Sequence, residues 1–315
     1  MNVLSLFDGI SCGQVALERT GIKVDNYFAS EINEDSMKVA KHNYPNIKHI
    51  GDVTKLNEEF LKQLPKIDLL IGGSPCQGLS KAKSGRKNLD DPRSKLFYKY
   101  VEIRDWLLKY NNPNLKYLLE NVKPDKETKE IMNEEMGVQP IEMNSVLVSA
   151  QRRIRLYWTN IEGIIQPDDK QLKIKDIIYD NTYKIKTMDD QKLLETVRFS
   201  KNYVKWDTSY KGHYSQANRA YFIDGTMCTV PKSRASSKLN IWLGNNSYRR
   251  IHPIEAERLQ TLPYNYTKIV ETNNDDVRVG LVGDGWTVDV IAHIFSFMKE
   301  QIIHSESNKD IHKAS

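Results

Sequence analysis

Ile67, Asp68, Leu69, Leu70 and Ile71 form a strand-like apolar run that leads through Gly72, Gly73, Ser74 and Pro75 to Cys76, then Gln77 and Gly78. A cysteine is thereby presented just past the end of a buried strand, where open α/β sheets place their chemistry. A thiol there either packs as a small hydrophobe or acts as a nucleophile. Lys81, Lys83, Arg86, Lys87, Arg93 and Lys95 follow it against only Asp90 and Asp91, and positive surroundings stabilise the thiolate. An ordinary thiol, with a pKa of about 8.5, is only a few per cent ionised at neutral pH, so such surroundings favour the nucleophile.

Four more apolar runs end on polar residues. Val3 to Phe7 runs into Asp8 and Gly9, Asn26 to Ser30 into Glu31, Ile47 to Ile50 towards Asp52, and Tyr117 to Leu119 into Glu120 and Asn121. Any one of these taken alone reads as a solvated loop residue. Five together describe a cleft that binds a ligand and does chemistry on it.

The elements that must position these residues alternate. Helical patterns at Gln14 to Thr20, Glu34 to Asn43, Glu58 to Leu64 and Arg93 to Lys109 separate the runs, with Asn33 as N-cap of the second and Gly21 as the stop of the first. Strand and helix in alternation predict an α/β fold with a doubly wound, mostly parallel sheet. Phe7 to Gly13 makes the first strand-to-helix turn, with Gly9 and Gly13 letting the backbone approach a ligand. No full dinucleotide fingerprint is present, but Glu31 follows about twenty residues later, the spacing at which an acid meets ribose hydroxyls. An adenosine-containing cofactor fits.

A length of 315 residues permits one large domain with a smaller appendage, or two domains. No apolar stretch is long enough to span a bilayer, and Asp8 interrupts any signal-peptide core, so the expected location is cytoplasmic. Cys12, Cys76 and Cys228 form no spaced pair, which argues against disulfides or a zinc site and fits a reducing compartment. Cys12 and Cys228 read as packing residues. The net charge of +5 is unevenly placed: Arg198 to Arg250 carries ten basic residues against Asp207 and Asp224, giving +8 there and leaving −3 elsewhere. Phe199, Tyr203, Trp206, Tyr210, Tyr214, Tyr221, Phe222, Trp242 and Tyr248 interleave with those cations. Basic residues fix register on a phosphate backbone while other side chains read base edges, although about half of these aromatics are expected to be core.

Gln151, Arg153 and Arg155 are spaced by two and share one face if they lie on a strand, with Arg152 and Ile154 on the other. His252, Pro253 and Glu255 open a helix in which Arg258 can pair with Glu255. Gly283 to Val288 precedes a helix whose Val290, Ile291, Ile294, Phe295 and Met298 form one apolar face, expected to pack back on the amino-terminal sheet. The polar tail beyond Gln301 is expected to fray.

Five segments, in order, resemble the motifs of the DNA cytosine-5 methyltransferases: Phe7 to Gly13, Ser74-Pro75-Cys76-Gln77, Glu120-Asn121-Val122, Gln151 to Arg155, and Arg250 to Gln260. The likeness covers nearly the whole chain, and Val24 to Val53, Arg155 to Asn160 and Gly283 to Phe295 look nearest to the animal de novo branch. It implies S-adenosyl-L-methionine as cofactor, with Phe7, Asp8, Gly9, Ile10 and Ser11 lining its methionine and adenine parts, Glu31 on the ribose, and Asp52 and Val53 at the adenine. Trp286, and Gly285 beside it, carry over as cofactor contacts, although Asp284, Gly285 and Trp286 stand where the family commonly has Asn-Ser-Val. The likeness implies further that Cys76 adds to carbon 6 of cytosine, that Glu120 bonds ring nitrogen 3, and that Arg153 and Arg155 hold the flipped base, its phosphate and Glu120. Double-stranded DNA is the implied partner, with no membrane and no metal, and with a monomer as the expected state. The stretch from Lys81 to Lys95 is the candidate loop closing over the DNA.

The implied organisation is a catalytic domain of residues 1–165, Rossmann-like with a mostly parallel sheet, then a smaller β-rich target-recognition domain of residues 166–275. Residues 276–315 return to the first. Abundant Lys, Asn and Ile suit an AT-rich bacterial or phage genome. Two other readings stay open: an inactive sequence-specific DNA-binding protein, and a methyltransferase acting on transfer RNA. Intact Cys76, Glu120, Arg153 and Arg155 speak against the first, and the aromatic-rich window favours duplex DNA over the second. Whether a restriction nuclease accompanies the chain is left open.

Overall fold

The computed structural model describes residues 1–75, 96–212, 215–232, 239–269 and 274–313. Cys76 and the Lys81 to Lys95 stretch lie outside them, as do Tyr214, Arg234 and Lys238 of the basic window. By its own contacts the chain divides into one unit of Met1–Met143, Ile154–Gln166 and Val288–Ser315, and a second of Asn144–Arg153 and Pro167–Thr287.

The first unit is built on strands β1 (Asn2–Leu6), β2 (Asn26–Ser30), β3 (Lys48–His49), β4 (Leu69–Gly72), β5 (Lys116–Val122), β6 (Ile141–Asn144) and β8 (Ile154–Thr159). The short strand β7 (Gln151–Arg152) belongs to the second unit. The sheet order is β3-β2-β1-β4-β5-β8-β6, with β3 to β5 mutually parallel and β8 antiparallel to β5. This is the doubly wound, mostly parallel sheet expected from the alternation, with its switch point between β1 and β4.

Helices α1 (Cys12–Thr20), α2 (Glu34–Asn43), α3 (Glu58–Leu61), α4 (Leu96–Trp106) and α5 (Lys126–Met136) connect these strands. Leu4, Leu6, Leu70 and Leu119 form a core with Leu61, Phe97, Tyr100 and Met132. The alternate residues Val3, Leu69, Ile71 and Leu118 are equally buried, because a period of two puts them on the opposite face. Asn33 caps α2 by accepting from the Ser36 amide at 2.9 Å, and Gly21 ends α1 at φ 69°, as their residue types require.

The second unit carries β9 (Ile185–Thr187), β10 (Arg198–Phe199), β11 (Tyr203–Lys205), β12 (Arg219–Tyr221), β14 (Asn240–Gly244) and β15 (Ser247–Arg250) in one sheet of order β10-β11-β12-β14-β15-β9. Strand β13 (Met227–Cys228) pairs with β7. Val204, Trp206, Ala220 and Met188 make its small core, joined by Leu193 and Leu194 of α6 (Gln191–Thr196) and by Trp242 and Tyr248. Among the window's described aromatics, Trp206 and Tyr221 are buried, whereas Phe199 and Tyr210 are 69% and 46% exposed.

Helix α7 (Pro253–Leu259) opens as its residues predict, with Glu255 accepting from the His252 amide at 2.8 Å and Pro253 in the first turn. One expectation is corrected there. Glu255 pairs with Arg249, not Arg258: both Nη atoms of Arg249 reach its carboxylate at 2.8 and 2.9 Å, with neither residue exposed. Arg258 donates instead to the carbonyls of Ile177 and Ile178. A strand residue six positions upstream supplies a straight two-pronged fork that a helical neighbour one turn away does not.

After α8 (Asp275–Asp284) comes α9 (Val288–Lys313), whose Val290, Ile291, Ile294, Phe295 and Met298 are all at most 1% exposed. Helix α9 packs along α1, where Lys299 donates to the Thr20 carbonyl and Arg19 pairs with Asp289. The tail expected to fray beyond Gln301 continues the helix to Lys313. No helix among the described residues is long and apolar enough to cross a membrane.

Candidate active site

Strands β1 and β4 are neighbours whose connections leave in opposite directions, and open α/β sheets bind ligands beyond the carboxyl ends of such a pair. One lip is the turn after β1. Phe7 and Ser11 adopt φ 57° and 60°, and Gly9 lies at 60° between them. Left-handed backbone costs a bulky residue such as Phe about 1–2 kcal/mol, so the surroundings must hold it, and such strain collects at functional sites.

Asp8 does much of the holding. Its carboxylate accepts the hydroxyls of Ser5 at 2.6 Å, Tyr27 at 2.7 Å and Ser11. Burial pushes its pKa from 3.8 up to about 6; the three hydroxyls oppose that shift and nearby Glu31 adds to it. Ser5 and Tyr27 were not legible as site residues. Tyr27 becomes a partner of Asp8 only through the pairing of β1 with β2, whereas Ser5 lies three residues upstream on β1 itself.

Glu31, at the end of β2, accepts the Gly9 amide on one oxygen and the Ile32 and Asn33 amides on the other, all at 2.8 Å. A carboxylate has about four acceptor directions. Three hold the turn, and one is left for a hydroxyl donor. Ile32 beside it is 71% exposed, an apolar surface next to that acceptor. Asp52 follows β3 and caps a short 3-10 turn by accepting from the Thr54 amide at 2.9 Å, with Val53 buried beneath. This donor set, an acid with one remaining acceptor, a half-buried acid and an exposed aliphatic side chain, suits a ribose and a purine ring.

The other lip follows β4. Gly72 leaves little room for a side chain, since a Cβ there would stand 3.0 Å from the Leu6 carbonyl and the Tyr100 ring. Ser74, 4% exposed, is held by Asn121, whose Nδ2 donates to its Oγ at 2.8 Å. Asn121 thus anchors the chain two residues before Cys76. Glu120, next to it on β5, is 8% exposed and pairs with Arg155 at 2.8 Å. Their register explains the pair: Arg155 lies opposite Val122, one diagonal step from Glu120, on the antiparallel β5–β8 ladder.

Gln151, Arg153 and Arg155 do not share one strand. Gln151 ends up in β7, which pairs with β13, and Arg155 in β8, which pairs with β5; Arg153 lies between them. The period-two alternation survives in burial, with Gln151 and Arg153 buried, Arg152 exposed and Ile154 40% exposed. The hydrogen-bond ladder does not continue through Arg153. Its guanidinium donates to the carbonyls of Gly283 at 3.4 Å and Gly285 at 2.9 Å. Trp286 is half-buried between the buried Gly285 and Thr287. Of the other cysteines, Cys12 is 2% exposed in α1. Cys228 accepts from Gln216 at 2.8 Å, and burial raises its thiol pKa.

Comparison with known proteins finds the C-5 cytosine-specific DNA methylase family matching residues 1–300. The orphan methyltransferase M.SPRI of Bacillus phage SPR is 34% identical over 205 residues, 60% of this chain and 45% of that protein. The type II methyltransferase M1.ScrFI of Lactococcus lactis subsp. cremoris is 30% identical over 300 residues, 84% of this chain and 70% of that one. The alignments take in less than half the length of the Bacillus phage relatives. Among solved structures, the S. pombe Dnmt2 methyltransferase superposes with a TM-score of 0.69 at 17% identity, over 96% of this chain and 99% of that one.

Proposed function

Because the chain belongs to the C-5 cytosine-specific DNA methylase family, we propose that it methylates carbon 5 of cytosine within a specific sequence of double-stranded DNA. The observation that carries this reading is the end of β5. There Glu120 is fixed by Arg155, and Asn121 holds the backbone that leads to Cys76.

A base inside a duplex cannot reach these groups, so the target nucleotide swings out, at a cost of a few kcal/mol. The Cys76 thiolate forms a bond to carbon 6, and Glu120 bonds ring nitrogen 3, drawing off the charge as the ring becomes an enamine. Arg155 keeps Glu120 in place and offers its remaining donors to the base and its phosphate. When bound, S-adenosyl-L-methionine supplies the electrophilic methyl group that carbon 5 takes up. Loss of the carbon 5 proton to a solvent base then breaks the carbon 6–sulfur bond, expels the thiolate and restores the aromatic ring. Phe7, Asp8, Gly9, Ile10, Ser11, Glu31, Asp52 and Val53 would hold the cofactor, with Gly285 and Trp286. Arg153, whose guanidinium donates to the carbonyls of Gly283 and Gly285, would support this set.

The second unit is the proposed target-recognition domain, following the +8 charge and exposed aromatics of its window. Cytoplasmic location and a bacterial or phage origin belong to the same reading, supported by relatives from Bacillus phages and Lactococcus. Likeness to the animal de novo branch rests on Val24 to Val53, Arg155 to Asn160 and Gly283 to Phe295 with its Trp286, while the matching curated relatives come from phages, a bacterium and a plant. The test is incubation with cofactor and duplex DNA bearing 5-fluorocytosine, which blocks expulsion of the thiolate. The wild-type chain should form a covalent adduct stable to denaturation; an adduct of equal yield with Cys76→Ala would refute the assignment.

A further inference from the structure

Helix α8 ends in an unusual way. Its closing residue Gly285 lies at φ −76°, outside the left-handed region that commonly ends helices, and its last turn carries no basic residue of its own. The last carbonyls of a helix lack partners within it and need donors from elsewhere. Two side chains distant in sequence supply them. Arg153 donates to the carbonyls of Gly283 and Gly285, and Gln260 donates to those of Val282 at 3.1 Å and Gly285 at 3.0 Å. The carbonyl of Gly285, immediately before Trp286, is therefore held twice.

Both holders are themselves fixed. Gln260 is fully buried and accepts through Oε1 from Thr287 at 2.6 Å and from Gln151 at 3.1 Å. Ser145 donates to Thr287 at 2.8 Å, so hydrogen bonds grip the chain on both sides of Trp286. Arg153 is 4% exposed, its Nη atoms facing carbonyl oxygens at the negative end of a helix. Gly283 leaves no slack, since a Cβ there would come within 2.2 Å of the Pro231 carbonyl. Within this hydrogen-bonded turn, Trp286 itself is half-buried.

We propose that Arg153 and Gln260 are positioning residues that cap α8 from outside and so preset the Gly285–Trp286 turn for the cofactor. The proposal rests on the reading of Trp286 as a cofactor contact. It gives Arg153 a task on the cofactor side, distinct from that of Arg155, although the two stand two residues apart. A guanidinium suits the task because its fixed fork reaches two carbonyls at once, whereas an ammonium is a single point charge.

The test measures equilibrium binding of S-adenosyl-L-homocysteine by calorimetry without DNA, alongside DNA binding and thermal unfolding, for wild type, Arg153→Lys, Arg153→Ala, Gln260→Ala and Arg155→Ala. Arg153→Ala and Gln260→Ala should each weaken nucleoside binding roughly tenfold, about 1.4 kcal/mol, with Arg153→Lys recovering part of the loss. Arg155→Ala should leave it within twofold while abolishing the fluorocytosine adduct. If Arg153→Lys binds the nucleoside like wild type but loses adduct formation, Arg153 serves the base and the proposal is overturned. If wild type binds no nucleoside, the proposed function fails first. If wild type binds it and both Arg153→Ala and Gln260→Ala, folded by their thermal midpoints, bind it equally well, only the positioning role fails.

Discussion

Three acids at strand ends of the first unit and four acids on α7 and α8 of the second are held in two different ways. At the edge of the seven-stranded sheet, Asp8 is held by hydroxyls, Glu31 by backbone amides and Asp52 by the amide of the turn it caps. On α7 and α8 of the second unit, four acids face cations: Glu255 faces Arg249, Glu257 faces Arg278, Asp276 faces Arg250 and Asp275 faces Lys184. Neutral donors keep a carboxylate in place and leave it acceptor capacity for a ligand. A bidentate arginine in a dry interior ties up both oxygens and makes the acid structural. Glu120 departs from these three strand-end acids by pairing with Arg155. It is an acid whose place must be fixed and whose second oxygen must still meet a base.

Substitutions can break this contrast. The largest expected effect is at Glu120: Glu120→Gln should lower kcat by roughly 10²–10⁴-fold with little change in thermal midpoint, read by methyl incorporation and calorimetric unfolding. Should it cost stability and spare the rate, Glu120 belongs with the structural acids. Next, Arg249→Met leaves the buried Glu255 unpaired and should cost about 3–5 kcal/mol in urea unfolding. Adding Glu255→Leu should restore much of that, because removing both charges also removes the desolvation they impose.

The smallest effect is at Asp8. Its folded pKa of about 6 lies above its ordinary 3.8, so the folded state holds the proton more tightly than the unfolded chain does. The stability this lends is fully present below about pH 4 and is lost as pH rises through about 6. Relative to Asp8→Asn, the wild type should therefore lose stability between those values, as followed by unfolding midpoints across the range. A flat difference would mean that the hydroxyls of Ser5, Ser11 and Tyr27 offset burial completely.

Much of the site was legible from local chemistry. Strand ends at Asp8, Glu31, Glu120 and the segment before Cys76 follow from apolar runs bounded by polar residues, and Asn33, Gly21 and Pro253 mark helix ends by residue type alone. Tyr27 as a partner of Asp8, and Asn121 as the anchor of Ser74, were hidden because each depends on which strands lie side by side. The Gln151 to Arg155 segment shows the limit most clearly. Its alternation was correct, yet the chain leaves one ladder and joins another between Arg152 and Ile154.

Periodicity, caps and the placing of reactive residues after apolar runs are properties of neighbours in the chain, so they can be read from order alone. Partner choice is not such a property. That Glu255 takes Arg249 and not Arg258, and that Arg153 faces carbonyls while Arg155 faces Glu120, depends on which groups are left without donors once distant segments are packed together. Burial then makes each unmet hydrogen bond costly enough to select one arrangement.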